Sequence, residues 1–140
     1  MNPYLAYKKP EPTADWTRID LLLALYDKAL DRLDGADAAL RAGDTAGATG
    51  ALIKVQLILN ALASGVDVDV APERGTNTLR LYEYAANELR TPRAEGITNA
   101  RNVLRTLRQG FEAVRAEANE LERKGVIPPA EQAHLVRATV

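Results

Sequence analysis

With 140 residues, 46% of them hydrophobic and 26% charged, the chain has the size and composition of one globular domain. A formal net charge of −1 argues against a dedicated nucleic-acid binder, whose affinity comes mainly from neutralising phosphates. The absence of cysteine excludes disulfide scaffolds, thiol catalysis and Cys-based zinc sites, and with one Phe and one Trp the core has to be aliphatic.

Residues 1–16 hold Pro3, Pro10 and Pro12 and are predicted to form an extended arm. The arm carries Tyr4, Leu5 and Tyr7, which cannot form a core of their own and must stay wet or lie on another surface. Thr17 with Asp20 three residues on is an Asp variant of the capping box and opens the first helix. Its apolar face is Ile19, Leu22, Leu23, Tyr26, Ala29, Leu30, Leu33 and Ala36, and Gly43 ends it, with Asp44 or Thr45 as the next cap. The second helix is expected from about Ala46 to Ser64, with Gly65 as its stop. It has two apolar stripes: a broad one through Ala48, Ala51, Leu52, Val55, Ile58, Leu59 and Leu62, and a second through Ile53, Leu57 and Ala61. A helix apolar almost all round is buried on both sides or keeps one side for a partner.

Val66 to Arg74 is predicted to be a loop, and Gly75 to Arg90 the third helix, with Leu79, Tyr82, Ala86 and Leu89 inward and Thr78, Leu81 and Ala85 widening the stripe. Beyond Pro92 one long helix is expected, whose seam Ile97, Ala100, Leu104, Leu107, Phe111, Val114, Ala118 and Leu121 has bundle spacing and stops at Gly125. In the tail, Pro129 suits a first helical position, so a short helix from about Pro129 to Ala138 is a candidate. The fold class is therefore all-α, an antiparallel four-helix bundle over residues 17–124. An arm over 1–16 precedes it and a tail over 125–140 follows.

Chemistry-bearing constellations are scarce. His134 is the one histidine and Ser64 the one serine, so neither a carboxylate–histidine metal site nor a serine nucleophile with a base is assembled. No metal, cofactor or catalytic residue is expected. Asp27, Asp31, Asp34 and Asp37 share a side of the first helix and are expected to pair locally with Lys28, Arg32 and Arg41. Arg101, Arg105, Arg108 and Arg115 are expected to be an ordinary solvated side of the fourth helix. No charged region followed by an apolar run marks a leader at the N-terminus, and no stretch reads as a bilayer span of roughly 20 apolar residues. The expected location is the cytoplasm.

Five strings in order resemble the FliS family of flagellar export chaperones. They are Met1-Asn2-Pro3-Tyr4-Leu5-Ala6-Tyr7, Leu23 to Leu30 with its Leu25-Tyr26-Asp27, Lys54 to Leu62, Asn77 to Tyr84, and Leu107-Arg108-Gln109-Gly110-Phe111. Departures from the family's pattern include Arg18 for a proline, Lys28 for a glycine, Ala71-Pro72 for Gly-Gly, and Gly65-Val66-Asp67 for Ser-Leu-Asp. The resemblance reaches about Glu122, leaving the tail outside it.

The resemblance implies a cytosolic chaperone that holds the disordered C-terminal segment of flagellin in an apolar groove, prevents premature polymerisation and aids export. Candidate groove residues are Ile53, Leu57, Ala61, Leu81 and Tyr84, with Lys54 and Asn77 as polar positioners. Tyr4, Leu5 and Tyr7 are candidates for a lid over that groove. Expected partners are flagellin, and with it other components of the export apparatus. Nucleic acid and stable membrane insertion are not expected, and a homo-oligomer is compatible with the pattern. The alternative is a structural or regulatory bundle that self-associates through its second helix.

Overall fold

A computed structural model describes residues 16–126, in which five helices and no strand occur. The arm residues Tyr4, Leu5 and Tyr7 and the candidate Pro129–Ala138 helix lie outside the described residues. Helix α1 spans Arg18–Arg41, α2 Thr45–Ser64, α3 Pro72–Glu88, α4 Ala94–Ala113 and α5 Arg115–Arg123.

Local signals account for most helix ends. Thr17 accepts from the Asp20 amide while the Asp20 carboxylate accepts from the Thr17 amide, closing the expected capping box. Asp44 caps α2 through Gly47 N at 2.9 Å. At Gly43 (φ 77°) the Asp44 amide bonds Ala39 O at 2.8 Å and the Gly43 amide bonds Leu40 O at 3.0 Å. Gly125 (φ 77°) closes α5 with the same pattern, its successor Val126 bonding Leu121 O at 2.9 Å. Both are left-handed stops that satisfy the last carbonyls, where a side chain would be strained.

Two boundaries differ from the sequence expectation. Helix α3 begins at Pro72, inside the expected loop, because a proline at the first helical position gives up an amide that has no helical partner there. The expected long fourth helix is broken at Val114 (φ −106°, ψ 6°) into α4 and α5. The apolar spacing runs through the break, so periodicity alone does not reveal it.

The core is aliphatic around one buried tyrosine pair. Tyr26, Ala29 and Leu33 of α1, Val55 and Ile58 of α2, Tyr82 of α3 and Leu89 at its C-terminal cap, and Ile97, Ala100 and Leu104 of α4 are all enclosed. Each large side chain so buried is worth roughly 1.5–3 kcal/mol. Leu21 and Leu25, outside the expected stripe of α1, are buried too, because α1 packs against both α2 and α4. Leu107 and Phe111 continue the α4 seam half-buried, and Val114 emerges from it. Helices α3 and α4 approach closely at Gly96, where a Cβ would meet the Glu88 carbonyl oxygen at 2.2 Å.

Helices α1 and α4–α5 run antiparallel, and a charge ladder marks their register. Asp20, Asp27 and Asp34 meet Arg115, Arg108 and Arg101 in reverse order, at 2.8, 2.5 and 2.9 Å. Both sets recur every seven residues. Only Asp37 finds the local partner expected of it, Arg41 at 3.1 Å. The acidic side of α1 and the basic side of α4 are thus mainly partners of each other, correcting the expectation of two independent solvated faces.

Helix α2 is long and apolar enough, by length and composition, to cross a membrane, which corrects the expectation that no stretch reads as a bilayer span. Its broad stripe is packed into the bundle, and a core helix meets the same criterion.

Candidate functional site

The broad stripe of α2 faces inward, which leaves the second stripe outside. Ile53 is 57% exposed and Leu57 52%. Both lie on the outer side of α2 beside exposed Lys54. On α3, Asn77, Leu81 and Tyr84 fall at helical spacings of four and three residues, so they form one stripe. Leu81 is 39% exposed and Tyr84 43%. One turn further on, Glu88 takes Arg93 Nη2 at 2.8 Å and Asn99 Nδ2 at 3.2 Å, which places this stripe along the α3–α4 edge. The Glu88 carboxylate one turn away raises the pKa of the Tyr84 phenol, and Tyr84, Asn99 and Arg93 hold that carboxyl below its usual range.

The seven candidate groove residues therefore do not form one cluster. Gln56 of α2 donates to Ala86 O at 2.9 Å across the α2–α3 contact. Ile53, Lys54 and Leu57 lie on the α2 side of that junction, and Asn77, Leu81 and Tyr84 along the opposite edge of α3. Ala61 is half-buried and belongs to a third place, an apolar pocket of about 390 Å³ at the end of the bundle.

That pocket was not anticipated. Leu22, Leu25, Leu62, Val66, Phe111 and Val114 give it apolar walls, and Arg18, Asp67, Arg74 and Glu122 bring charge to its lining. Leu22, Leu62, Phe111 and Val114 belong to the expected core stripes, and spacing does not show where a stripe runs past its packing partner. Tyr82 reaches it from the core, where its hydroxyl lies 2.6 Å from that of Tyr26. Phe111 tilts against the Tyr26 ring with centroids 5.7 Å apart. Burial, chiefly, raises the pKa of both phenols, Tyr26 the more, so the pair stays neutral. Two hydroxyls share one bond, so one O–H hydrogen of the pair is left to point elsewhere.

Helix α5 walls one side of the pocket with Ala118 and Glu122. Polar contacts hold it to the first turn of α1. The Thr17 hydroxyl donates to Asn119 Oδ1, the Arg18 amide donates to Glu122 Oε1 at 3.1 Å, and Arg115 Nε donates to Asp20 Oδ1 at 2.8 Å. Among the described residues no three His, Asp or Glu side chains group to hold an ion. The arrangement offers exposed aliphatic edges and an apolar cleft, which are means of binding an apolar segment of another chain.

No curated protein and no solved structure matches the chain. Residues 1–118 do match a protein family, described as flagellar protein FliS. The match begins at the arm, takes in α1 to α4 and stops inside α5, so it covers most of the chain. By that match, on an all-helical bundle, the chain belongs to the FliS family of flagellar export chaperones.

Proposed function

We propose that this protein is a cytosolic chaperone that holds the C-terminal segment of flagellin on its exposed apolar edges until export. The observation that carries the proposal is the outer face of α2, where Ile53 and Leu57 are each more than half exposed on a helix already packed on its other side. An amphipathic client helix laid there gains the burial these side chains lack, the helix-in-groove mode of recognition. Leu81 and Tyr84 offer a second contact line on α3, with Lys54 and Asn77 as polar positioners. Tyr4, Leu5 and Tyr7, which lie outside the described residues, remain candidates for a lid over these edges, and Thr17, ten residues after Tyr7 in the sequence, lines the end pocket. Nothing in this work of holding a chain requires nucleotide, metal or covalent chemistry.

Hydrogen exchange with and without flagellin's C-terminal peptide tests this. Protection should appear over residues 53–61 and 77–84, and a complex that protects neither segment would defeat the placement. The same exposed α2 face also favours a second reading, self-association through α2. Sedimentation of the free protein separates the two: a dimer that Ile53→Asp abolishes supports self-association, and a monomer supports a face kept for the client.

A further inference from the structure

We infer that α5 is a latched strap over the end pocket, able to detach while the rest of the bundle stays folded. Three observations meet in this. The first is the break: α4 and α5 are separated at Val114, whose backbone leaves the helical region, so one residue serves as the joint. Gly110, one turn earlier, has open space around its α-carbon. The second is the anchoring. No residue of α5 is buried, in contrast to every other helix of the fold. What holds α5 to α1 is mainly polar: Asn119 on Thr17, Glu122 on the Arg18 amide, and Arg115 on Asp20. Water can replace each of these contacts, whereas no solvent replaces the packing of Leu104 or Ile97. The third is position, because the side of α5 that turns inward is a wall of the apolar pocket.

Opening is local for a reason written into α1. Thr17 and Asp20 cap that helix with their own side chains, so losing Glu122 leaves one first-turn amide to water and the capping box in place. Once detached, a helix of nine residues does not persist alone in water, so release and unwinding are a single event. The device is thus an order–disorder strap: folded on α1 it walls one side of the pocket, and unfolded it widens the opening on the side lined by Phe111 and Val114. It is a property of the free protein and needs no client.

Hydrogen exchange of the native full chain is the first test. The amides of 118–124 should exchange roughly 100-fold or more faster than those of 97–107 under conditions where the bundle stays folded. Equal protection of the two segments would overturn the inference. The second test is a triple variant, Arg115→Ala, Asn119→Ala and Glu122→Ala, which leaves Thr17 and Asp20 untouched. It should raise the uptake of an apolar dye such as anilinonaphthalene sulfonate severalfold, with the far-UV helical signal reduced by no more than the loss of α5. In a Thr17→Cys/Asn119→Cys variant, joining the two thiols with a short bifunctional reagent should drop dye uptake below that of the uncrosslinked form. The chain has no cysteine of its own, so the reagent acts only there. Dye uptake that ignores both changes would contradict a strap over the pocket.

Discussion

The Tyr26 and Tyr82 hydroxyls satisfy each other 2.6 Å apart in an interior that is otherwise hydrocarbon. Removing one leaves the other without its partner, and an unsatisfied buried hydroxyl costs about 1–3 kcal/mol. Tyr26→Phe and Tyr82→Phe should therefore each destabilise the bundle by that order, while the double variant costs clearly less than their sum. Denaturant midpoints for the four proteins check this, and strictly additive losses would show that the two hydroxyls do not act as a pair. Asp20 is a second residue with a readable consequence. Burial alone raises its pKa, but hydrogen bonds from Thr17 and the Arg115 guanidinium outweigh that and leave it lowered. A carboxyl depressed in the folded state contributes stability above its unfolded pKa and loses it as pH falls through the folded value. The deficit of Asp20→Asn in melting temperature should thus be full at neutral pH and shrink below about pH 4. A deficit constant into the acid range would mean the carboxylate's charge is not what stabilises. The Thr17–Asp20 box was legible in the sequence because its partners are three residues apart. The tyrosine pair was not, because 56 residues separate its members.

Among the elements, the ladder between α1 and α4–α5 shows how charge sets a register that apolar packing alone leaves soft. Each exposed rung is worth only about 0.2–1 kcal/mol, so the ladder selects the alignment more than it supplies stability. The Asp27–Arg108 rung is the best formed, with both guanidinium contacts present at 2.5 and 3.3 Å. Asp27→Arg should lower stability by roughly 1 kcal/mol through like-charge contact, and adding Arg108→Asp should restore most of it. A swapped protein no more stable than the single variant would show that the two side chains do not meet. The heptad spacing of Asp20, Asp27 and Asp34 was visible in the chain, as was that of Arg101, Arg108 and Arg115. Their pairing was not, because sequence does not say which helices are neighbours. The break at Val114 escaped for a different reason: no Gly or Pro marks it, and the apolar rhythm continues through Ala118 and Leu121.

For the whole molecule, apolar periodicity was enough to call an all-α bundle, because apolar residues recur at helical spacing in every segment and Thr17, Asp44 and the turn residues Gly43, Pro72 and Gly125 punctuate them. The candidate binding surfaces were only half legible. The two stripes of α2 could be read, but their spacing does not say which one faces the core, and only the fold leaves Ile53 and Leu57 outside. Leu81 and Tyr84 looked like neighbours of that stripe, yet α3 carries them along its other edge, beside α4. The end pocket is lined from all five helices, so it did not exist before they were in place. The family match, the exposed α2 face and the pocket support the proposal of a chaperone that holds an apolar segment. The direct test is isothermal titration of the full chain with flagellin's C-terminal peptide. A one-to-one complex that Ile53→Asp with Leu57→Asp weakens at least tenfold, about 1.4 kcal/mol or more, is the expected result. No heat and no complex at high micromolar peptide with the unaltered chain would contradict it.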